Sequence, residues 1–320
     1  MRDRPVVPVI VGPTAVGKTA VTAALAALQP VTVISADARQ VYRGLDIGTA
    51  KPDPDLRARV PHRGLDLVNP GERYSAGRFA SDAAQWVTEA LADGRLPVVV
   101  GGTGFYVRAL TDGLFHEPPL DPVRRARLRD WTNALGPAAA ARWAARLDPD
   151  YGGGGRQRAT RVVEMALLTG RALSWWQRHA RETGALRPWY IHLTLPREAL
   201  ARRIADRVDR MLGSGLEAEV RGVLERGVPP DAPGLDAVGY REVVAMLSGN
   251  LERGDLRSAI VTATRRYAKR QEMWFRHQLR RQTSDVRHQK DEVWTLDATE
   301  SAEGLAAAIA GRWRSVQSDV

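Results

Sequence analysis

The residues best suited to chemistry in this chain form a loop that can hold phosphate groups. Residues 12–19 match the pattern G-x-x-x-x-G-K-[ST] at every fixed position and directly follow a β-branched run. The glycines let the backbone turn so that several N–H groups point at phosphate oxygens, and the dipole of the following helix adds positive potential. The lysine can neutralise a terminal phosphate, and the last hydroxyl can bind a magnesium ion that bridges two phosphates. This phosphate loop consists of Gly12, Pro13, Thr14, Ala15, Val16, Gly17, Lys18 and Thr19.

Two further polar residues follow other apolar runs. Asp37 comes after residues 31–35, and Thr103 comes after residues 96–100 and two glycines. A carboxylate beside bound phosphates can act as a general base or as a magnesium ligand, and the threonine hydroxyl can donate to a leaving phosphate oxygen. The structural alternatives are a helix N-cap for Asp37 and a turn or N-cap for Thr103. Because this third run ends without an acid, ATP hydrolysis is poorly supported.

A basic and aromatic segment near residue 270 offers a different chemistry. Arginine planes and aromatic rings alternate there, and such side chains both neutralise phosphates and stack on the splayed bases of single-stranded RNA. An amphipathic helix with a solvated basic face is the structural alternative. The basic and aromatic residues are Arg265, Arg266, Tyr267, Lys269, Arg270, Trp274, Phe275 and Arg276.

The β-branched runs indicate the elements that must position these groups. The runs lie at 6–11, 31–35, 96–100, 189–195 and 293–296, with helix-like stretches between them. This alternation predicts an α/β fold with a P-loop-containing, doubly wound parallel sheet, whose ligands bind at the carboxyl ends of the strands. Residues 115–187 instead look helical and rich in arginine and tryptophan. We therefore predict a core of residues 1–114 and 188–320 with carboxyl-terminal helices, and an inserted all-helical lobe at 115–187.

Composition narrows the class of protein. The 320 residues carry 47 Lys and Arg against 37 Asp and Glu, a net charge of +10 that suits a nucleic-acid partner better than a small-molecule kinase. A genomic bias toward arginine is the alternative explanation. The absence of cysteine excludes a disulfide framework and a thiolate nucleophile. Without a membrane-length apolar run or a signal-peptide core, we expect no membrane association and a cytoplasmic location.

These motifs together resemble the bacterial tRNA dimethylallyltransferase family, also called tRNA isopentenyltransferases. The resemblance runs from residue 6 to about residue 276. It rests on the phosphate loop, Asp37 with Gln40 and Tyr42, residues 46–52 and 61–63, Tyr74 with Ser75, residues 101–103 with Tyr106, and residues 207–219, 238–241 and 264–275.

The resemblance implies an activity and its residues. The family transfers a dimethylallyl group from dimethylallyl diphosphate to the N6 amine of the adenosine just 3′ of the anticodon, in tRNAs that read codons beginning with U, and releases diphosphate. Asp37 then accepts the amine proton, while Thr103 and Arg207 hold the diphosphate and stabilise its departure. Lys18 and Thr19 cradle the phosphates with Mg²⁺, the expected cofactor.

The expected partners are dimethylallyl diphosphate and the tRNA anticodon stem-loop, and a monomer is expected. The helical lobe is expected to contact the tRNA. The family usually has Ser and Met after its aspartate, so Ala38 and Arg39 remove a hydroxyl and add a charge beside Asp37. The predicted tRNA-binding residues are Asp37, Ala38, Arg39, Gln40, Thr103, Arg125, Arg158, Arg161, Val238, Gly239, Tyr240, Arg241, Lys269 and Arg270.

Three other functions share part of this pattern. An adenylate isopentenyltransferase would share the phosphate loop, Asp37 and Thr103, but its free nucleotide needs no basic RNA-gripping surface. A small-molecule P-loop kinase would transfer a phosphoryl group from ATP, which the glycine-threonine end of the third run disfavours. A non-enzymatic RNA-binding module would keep only a vestigial loop, whereas Lys18, Thr19, Asp37 and Thr103 are all intact.

Overall fold

A six-stranded parallel sheet organises the larger of two compact units in this protein, whose computed structural model describes residues 4–180, 182–284 and 293–318. The larger unit comprises residues 4–111 and 185–318, and the smaller one comprises residues 112–184. The spatial strand order is β3-β2-β4-β1-β5-β6, and every neighbouring pair is parallel. The strands are β1 (Val6–Val11), β2 (Val31–Ser35), β3 (His62–Arg63), β4 (Leu96–Gly101), β5 (Arg187–Thr194) and β6 (Val293–Asp297).

The helices alternate with these strands and then dominate the carboxyl-terminal half. In chain order they are α1 (Lys18–Leu28), α2 (Pro54–Arg59), α3 (Ala76–Ala92), α4 (Gly104–Thr111), α5 (Pro122–Ala134), α6 (Pro137–Leu147), α7 (Arg156–Thr169), α8 (Leu173–His179), α9 (Arg197–Gly213), α10 (Leu216–Glu225), α11 (Tyr240–Leu247), α12 (Leu256–Ser284) and α13 (Ala302–Ser318). Helices α5 to α8 belong to the smaller unit.

The central strands of the sheet are buried on both faces, as their composition requires. β2 is buried at all five positions and β1 at five of six, because each strand is a run of apolar and β-branched residues with helices packed over it. Helices α1 and α13 pack against each other on one side, where Leu25 and Ile309 join the core. This burial fixes the strand ends, and with them the loops that follow β1, β2 and β4.

The structure confirms the predicted parallel α/β fold and refines its edges. β1 and β2 lie at the predicted positions, and β5 begins two residues before the predicted run at 189. The two-residue strand β3 was not predicted, because a pair of residues is too short to show a period. Among the described residues, no helix combines the length and apolarity that crossing a membrane requires.

The smaller unit has its own core and a buried charge. Small and apolar side chains of α6 and α7 pack together, including Ala140, Ala144 and Val163. Glu164 of α7 is only 1% exposed, and its carboxylate pairs with arginines of α5 and α7. Several cationic partners surround this one buried carboxylate, as a buried charge requires.

Candidate active site

The phosphate loop joins β1 to α1 in the conformation that its glycines allow. Gly12 has φ +150° and Gly17 has φ +113°, both in the region that disfavours side chains. A Cβ atom on Gly12 would lie 2.6 Å from the carbonyl oxygen of Leu193 in β5, so only glycine fits this close approach. Lys18 and Thr19 open α1, which aims the helix N-terminus at the carboxyl end of the sheet.

Lys18 is folded back onto its own loop. Its Nζ donates to the carbonyl oxygens of Gly12 at 2.8 Å and Pro13 at 2.9 Å. Burial lowers the pKa of Lys18 to about 8, while the nearby Asp37 carboxylate opposes this shift and the Arg207 guanidinium adds to it. The charge of Lys18 therefore interacts with those of Asp37 and Arg207, which lie close to it.

This depressed pKa predicts a pH dependence of donor binding. As pH rises through about 8, free enzyme loses the Lys18 charge, so a diphosphate ligand should bind more weakly above that pH. We expect kcat/KM for dimethylallyl diphosphate to be highest near pH 7 and to fall toward pH ~9.5. A profile that stays flat over this range, measured at saturating tRNA, would contradict a role for the Lys18 ammonium in donor capture.

Asp37 and Thr103 are brought together by the loops after β2 and β4. The Thr103 N–H donates to the Ala36 carbonyl at 3.2 Å, and Thr103 Oγ1 accepts from the Ala38 N–H at 2.9 Å. Asp37 Oδ1 accepts from the Arg39 N–H at 2.8 Å. A Cβ on Gly101 would lie 2.1 Å from the Ala36 carbonyl oxygen, so glycine is needed for the two loops to meet. The loops thus fix both side chains at one sheet edge.

Two helices supply further groups to this edge. Burial lowers the pKa of Arg207 in α9, and the negative charge of Asp37 opposes that shift. Burial and the charge of Asp37 together raise the pKa of Tyr267 in α12 to about 12, although a hydrogen bond with Thr103 opposes the rise. Thus α9 contributes a cation, and α12 contributes a neutral phenol, beside Asp37 and Thr103.

A cavity opens at these loops and combines two kinds of wall. Its polar part is formed by Lys18, Thr19, Thr22, Ser35, Asp37, Gln40 and His62. Its apolar part is formed by Ala23, Val33, Pro52, Leu56, Val60 and Val100. A ligand with a phosphorylated end and a short hydrocarbon end matches this division.

The loop at residues 46–48, which follows Gln40, is held by a single carboxylate. Glu219 of α10 accepts from the backbone N–H groups of Asp46 at 2.8 Å and Ile47 at 2.9 Å, and from the hydroxyl of Tyr240. The Tyr240 hydroxyl in turn accepts from the Gly48 N–H at 3.0 Å. Burial and the Glu219 carboxylate raise the pKa of Tyr240, so it remains a neutral donor.

Replacing Glu219 by alanine should therefore destabilise the protein by about 1–3 kcal/mol, because two backbone donors and one phenol lose their acceptor. Urea unfolding followed by circular dichroism measures the loss. The matched control is Glu225→Ala at the other end of the same helix, whose side chain is exposed and whose loss should cost less than about 1 kcal/mol. Equal losses in both variants would show that Glu219 has no special bracing role.

Two bracing residues of the phosphate loop were not found from the sequence. Gln271 of α12 accepts from the Thr14 N–H at 2.8 Å and donates to the Gly102 carbonyl at 2.9 Å. Arg203 of α9 donates to the Val16 carbonyl at 3.0 Å and, through its other nitrogen, to the Ala298 carbonyl at 2.9 Å. The available signal was a glutamine within the buried stripe of α12, a position where an apolar side chain is usual.

Some predicted RNA-binding residues of the larger unit are exposed, and others are hydrogen-bonded within the protein. Lys269 and Arg270 lie exposed on α12, and the Arg270 guanidinium lies 5.7 Å from the centre of the Tyr267 ring. Arg241 is exposed and paired with Glu242. Gln40 is committed within the protein, because its amide accepts from Ser35 Oγ at 2.7 Å and donates to the Ala50 carbonyl.

The side chain of Tyr240, a residue predicted to contact RNA, lies inside the protein. It is 0% exposed and its hydroxyl donates to Glu219, so its ring anchors the interior, and an RNA contact at this residue stays a prediction. The neighbouring Gly239 begins α11, its N–H donating to the Glu242 carboxylate at 2.7 Å, and Val238 is half-buried. Arg39 donates to the Pro233 carbonyl at 2.9 Å and lies 3.6 Å from Asp236, which ties the Asp37 loop to this segment.

The predicted RNA-binding arginines of the smaller unit differ in their pairing. Arg125 pairs with Glu117 at 3.0 Å and with Glu164 at 3.3 Å. Arg161 pairs with the same two carboxylates. Arg158 is exposed, with its guanidinium 6.0 Å from the centre of the Tyr151 ring. Of these three, Arg158 is therefore the most accessible to a phosphate, and all three RNA contacts remain predictions.

Comparisons with known proteins agree with this geometry. The family described as "IPP transferase" matches residues 40–278, and the family described as "Isopentenyl transferase" matches residues 5–58. A tRNA dimethylallyltransferase of Thermomicrobium roseum is 41% identical over 295 residues, which cover 89% of this chain and 88% of that protein. One of Geobacter sulfurreducens is 40% identical over 275 residues, covering 84% of this chain and 88% of that protein.

Solved structures give the same assignment. The full-length tRNA isopentenylpyrophosphate transferase of Bacillus halodurans superposes with a TM-score of 0.69 at 32% identity, covering 98% of both chains. A eukaryotic dimethylallyltransferase captured acting on tRNA superposes with a TM-score of 0.78 at 27% identity, covering 97% of this chain and 80% of that one. With a family match over most of its length and relatives above 40% identity, this chain belongs to the tRNA dimethylallyltransferase family.

Proposed function

We propose that this protein transfers a dimethylallyl group from dimethylallyl diphosphate to the N6 amine of the adenosine 3′-adjacent to the anticodon, in tRNAs that read codons beginning with U. One observation carries the proposal: the carboxylate of Asp37 and the cationic Lys18 lie on a single cavity with an apolar wall, and Arg207 acts electrostatically on both. This transfer needs cationic groups that bind the diphosphate, a base, and space for a small hydrocarbon.

The chemistry follows from these positions. The bond between the allylic carbon and the diphosphate oxygen breaks, the N6–carbon bond forms, and the amine gives a proton to the Asp37 carboxylate. Lys18, Arg207 and the Thr103 hydroxyl stabilise the negative charge that develops on the departing diphosphate. The cavity holds donor and acceptor in a fixed orientation, which removes much of the entropic barrier. Diphosphate leaves as one unit.

The phosphate loop fits a magnesium ion that is bound together with the diphosphate. The Thr19 hydroxyl is a hard oxygen donor on the wall of the cavity, and the Asp37 carboxylate on the same wall keeps its role as the base. Among the described residues, no cluster of three or more acidic or histidine side chains could hold a metal ion without further ligands. Thr19 would therefore be the protein's own ligand, and phosphate oxygens of the donor would supply other ligands. When bound, the ion would neutralise part of the diphosphate charge.

The exposed basic face of α12 supports an RNA acceptor. Arg265, Arg266, Lys269 and Arg270 all lie exposed there, on the helix whose Tyr267 and Gln271 reach the catalytic loops. A free nucleotide needs no such surface, whereas an anticodon loop presents several phosphates and splayed bases. Because all the residues named for donor and base belong to one chain, a monomer remains our prediction, and the tRNA acceptor favours a cytoplasmic location.

Replacing Arg270 by alanine should weaken tRNA binding and reduce the slope of log affinity against log salt by about one, because one phosphate contact is lost. Affinity for the diphosphate should not change. The matched control is Arg257→Ala on the same helix, whose guanidinium is held by Asp209 through bonds of 2.6 and 2.7 Å. If both variants kept the wild-type salt slope, Arg270 would have no phosphate contact.

The position of transfer can be tested with tRNA transcripts. We expect wild-type enzyme to modify a transcript with adenosine 3′-adjacent to its anticodon, and not the same transcript with guanosine there. Digestion to nucleosides and mass spectrometry identify the product. Equal incorporation into both transcripts would contradict the proposed acceptor position, and incorporation at another adenosine would relocate it.

A further inference from the structure

We propose that Gln271 is a positioning residue that holds the phosphate loop and the Thr103 loop at a fixed separation, and thereby sets the geometry in which the donor diphosphate is bound. This role rests on the proposed function. It follows from two hydrogen bonds that one buried amide makes to two loops far apart in the sequence.

The amide of Gln271 uses both of its ends. Its Oε1 accepts from the Thr14 N–H at 2.8 Å, and its Nε2 donates to the Gly102 carbonyl at 2.9 Å. The residue is only 6% exposed, so each hydrogen bond is made away from water. Of the standard side chains of this length, only glutamine offers an acceptor and a donor together while uncharged at neutral pH, because a glutamate gains a donor only on protonation. The fit is therefore specific to the amide group.

The Gln271 amide contacts each loop next to residues that have a proposed role in the reaction. Thr14 lies in the phosphate loop after β1, and Gly102 immediately precedes Thr103 after β4, the strand that pairs with β1. A Cβ on Gly102 would lie 2.2 Å from the Gln271 Nε2, so the close approach of this amide requires glycine at residue 102. The Thr14 N–H is thereby bonded to the protein and not aimed at a phosphate.

Packing alone does not explain a glutamine here. Its neighbours along the buried stripe of α12 include Ala268 and Phe275, which are apolar. A buried amide is unfavourable unless its polar atoms are hydrogen-bonded, and a methionine would fill a similar volume without that requirement. We therefore attribute the presence of a glutamine at this position to the two loops that it connects.

The test compares Gln271→Met with a matched control, Thr264→Val. Thr264 lies on the same buried face of α12, two turns earlier, and its hydroxyl bonds only to the Ile260 carbonyl within the helix at 2.7 Å. Q271M should weaken the binding of inorganic diphosphate with magnesium, measured by calorimetry, by about tenfold, the equivalent of one to two net hydrogen bonds. T264V should stay within about twofold of wild type, as should tRNA affinity in both variants.

Steady-state kinetics and a pH profile separate positioning from packing. Q271M should raise KM for dimethylallyl diphosphate and lower kcat, with KM for tRNA little changed. In Q271E the carboxylate keeps the acceptor for Thr14 but lacks a donor for Gly102 and repels the diphosphate. Protonation restores that donor and removes the charge, so the ratio of Q271E to wild-type diphosphate affinity should rise as pH falls.

Two results would overturn the role of Gln271. One is a Q271M protein that binds diphosphate as tightly as wild type; the other is a T264V protein that loses as much affinity as Q271M. Because calorimetry reports diphosphate binding without turnover, this outcome can be read even if wild-type enzyme fails to modify tRNA, which would instead count against the proposed function.

Discussion

Replacing Asp37 by asparagine should slow dimethylallyl transfer to tRNA by about 10²–10⁴-fold, the usual contribution of a general base. Asparagine retains the Oδ1 acceptor for the Arg39 N–H, so the loop should keep its conformation. It cannot accept the proton of the N6 amine, and an aromatic amine is a poor nucleophile until that proton has an acceptor. Single-turnover rates with both substrates saturating measure the effect on the chemical step.

Binding measurements must accompany this rate. We expect D37N to bind tRNA with nearly wild-type affinity, since the base acts in the transition state. The control is Asp53→Asn, because Asp53 caps α2 through a bond to the Leu56 N–H and asparagine caps a helix equally well. A D37N enzyme with wild-type turnover would remove Asp37 as the base, and a D53N enzyme as slow as D37N would point to general misfolding.

Replacing Arg207 by glutamine should lower kcat by about 10²–10³-fold, as the loss of one preorganised charge donor to a developing anion commonly does. Arg207 is partly buried and its charge interacts with those of Asp37 and Lys18, so solvent replaces that charge poorly. Arg207→Lys keeps the charge but loses the planar fork of donors, so an intermediate rate is expected. Rapid-quench measurement of diphosphate release reports the step directly.

The control for Arg207 lies on the same helix. Arg202 is exposed in α9, and Arg202→Gln should leave kcat unchanged. If R207Q retained kcat within about threefold of wild type and only raised KM, the guanidinium would bind the donor without stabilising the departure of its diphosphate.

Much of this site could be predicted because its signals are local. The phosphate loop is a fixed pattern of eight residues. β1 and β2 are short runs that consist mainly of β-branched residues, and the end of β2 places Asp37 at the sheet edge. The rule that ligands bind beyond the carboxyl ends of parallel strands then predicted that Asp37 and Thr103 lie together, as the bond from Ala38 to Thr103 shows.

The bracing of the site could not be predicted, because it depends on contacts between distant parts of the chain. Gln271 meets Thr14 across 257 residues, and Arg203 meets Val16 across 187. Glu219 reaches the loop at 46–48 from more than 170 residues away. Local periodicity carries no information about such pairs. The burial of Tyr240 was unforeseen for the same reason, since its hydroxyl is held by Glu219 and Gly48 and not by its neighbours in sequence.

The most direct measurement offers the enzyme a choice of acceptor. Wild-type protein is incubated with magnesium, labelled dimethylallyl diphosphate and either unmodified tRNA, AMP or ATP, and the label is followed into each acceptor together with the release of diphosphate. We expect label in tRNA, in equal amount to the diphosphate released, and none in AMP or ATP. Label in AMP but not in tRNA would contradict the proposed function.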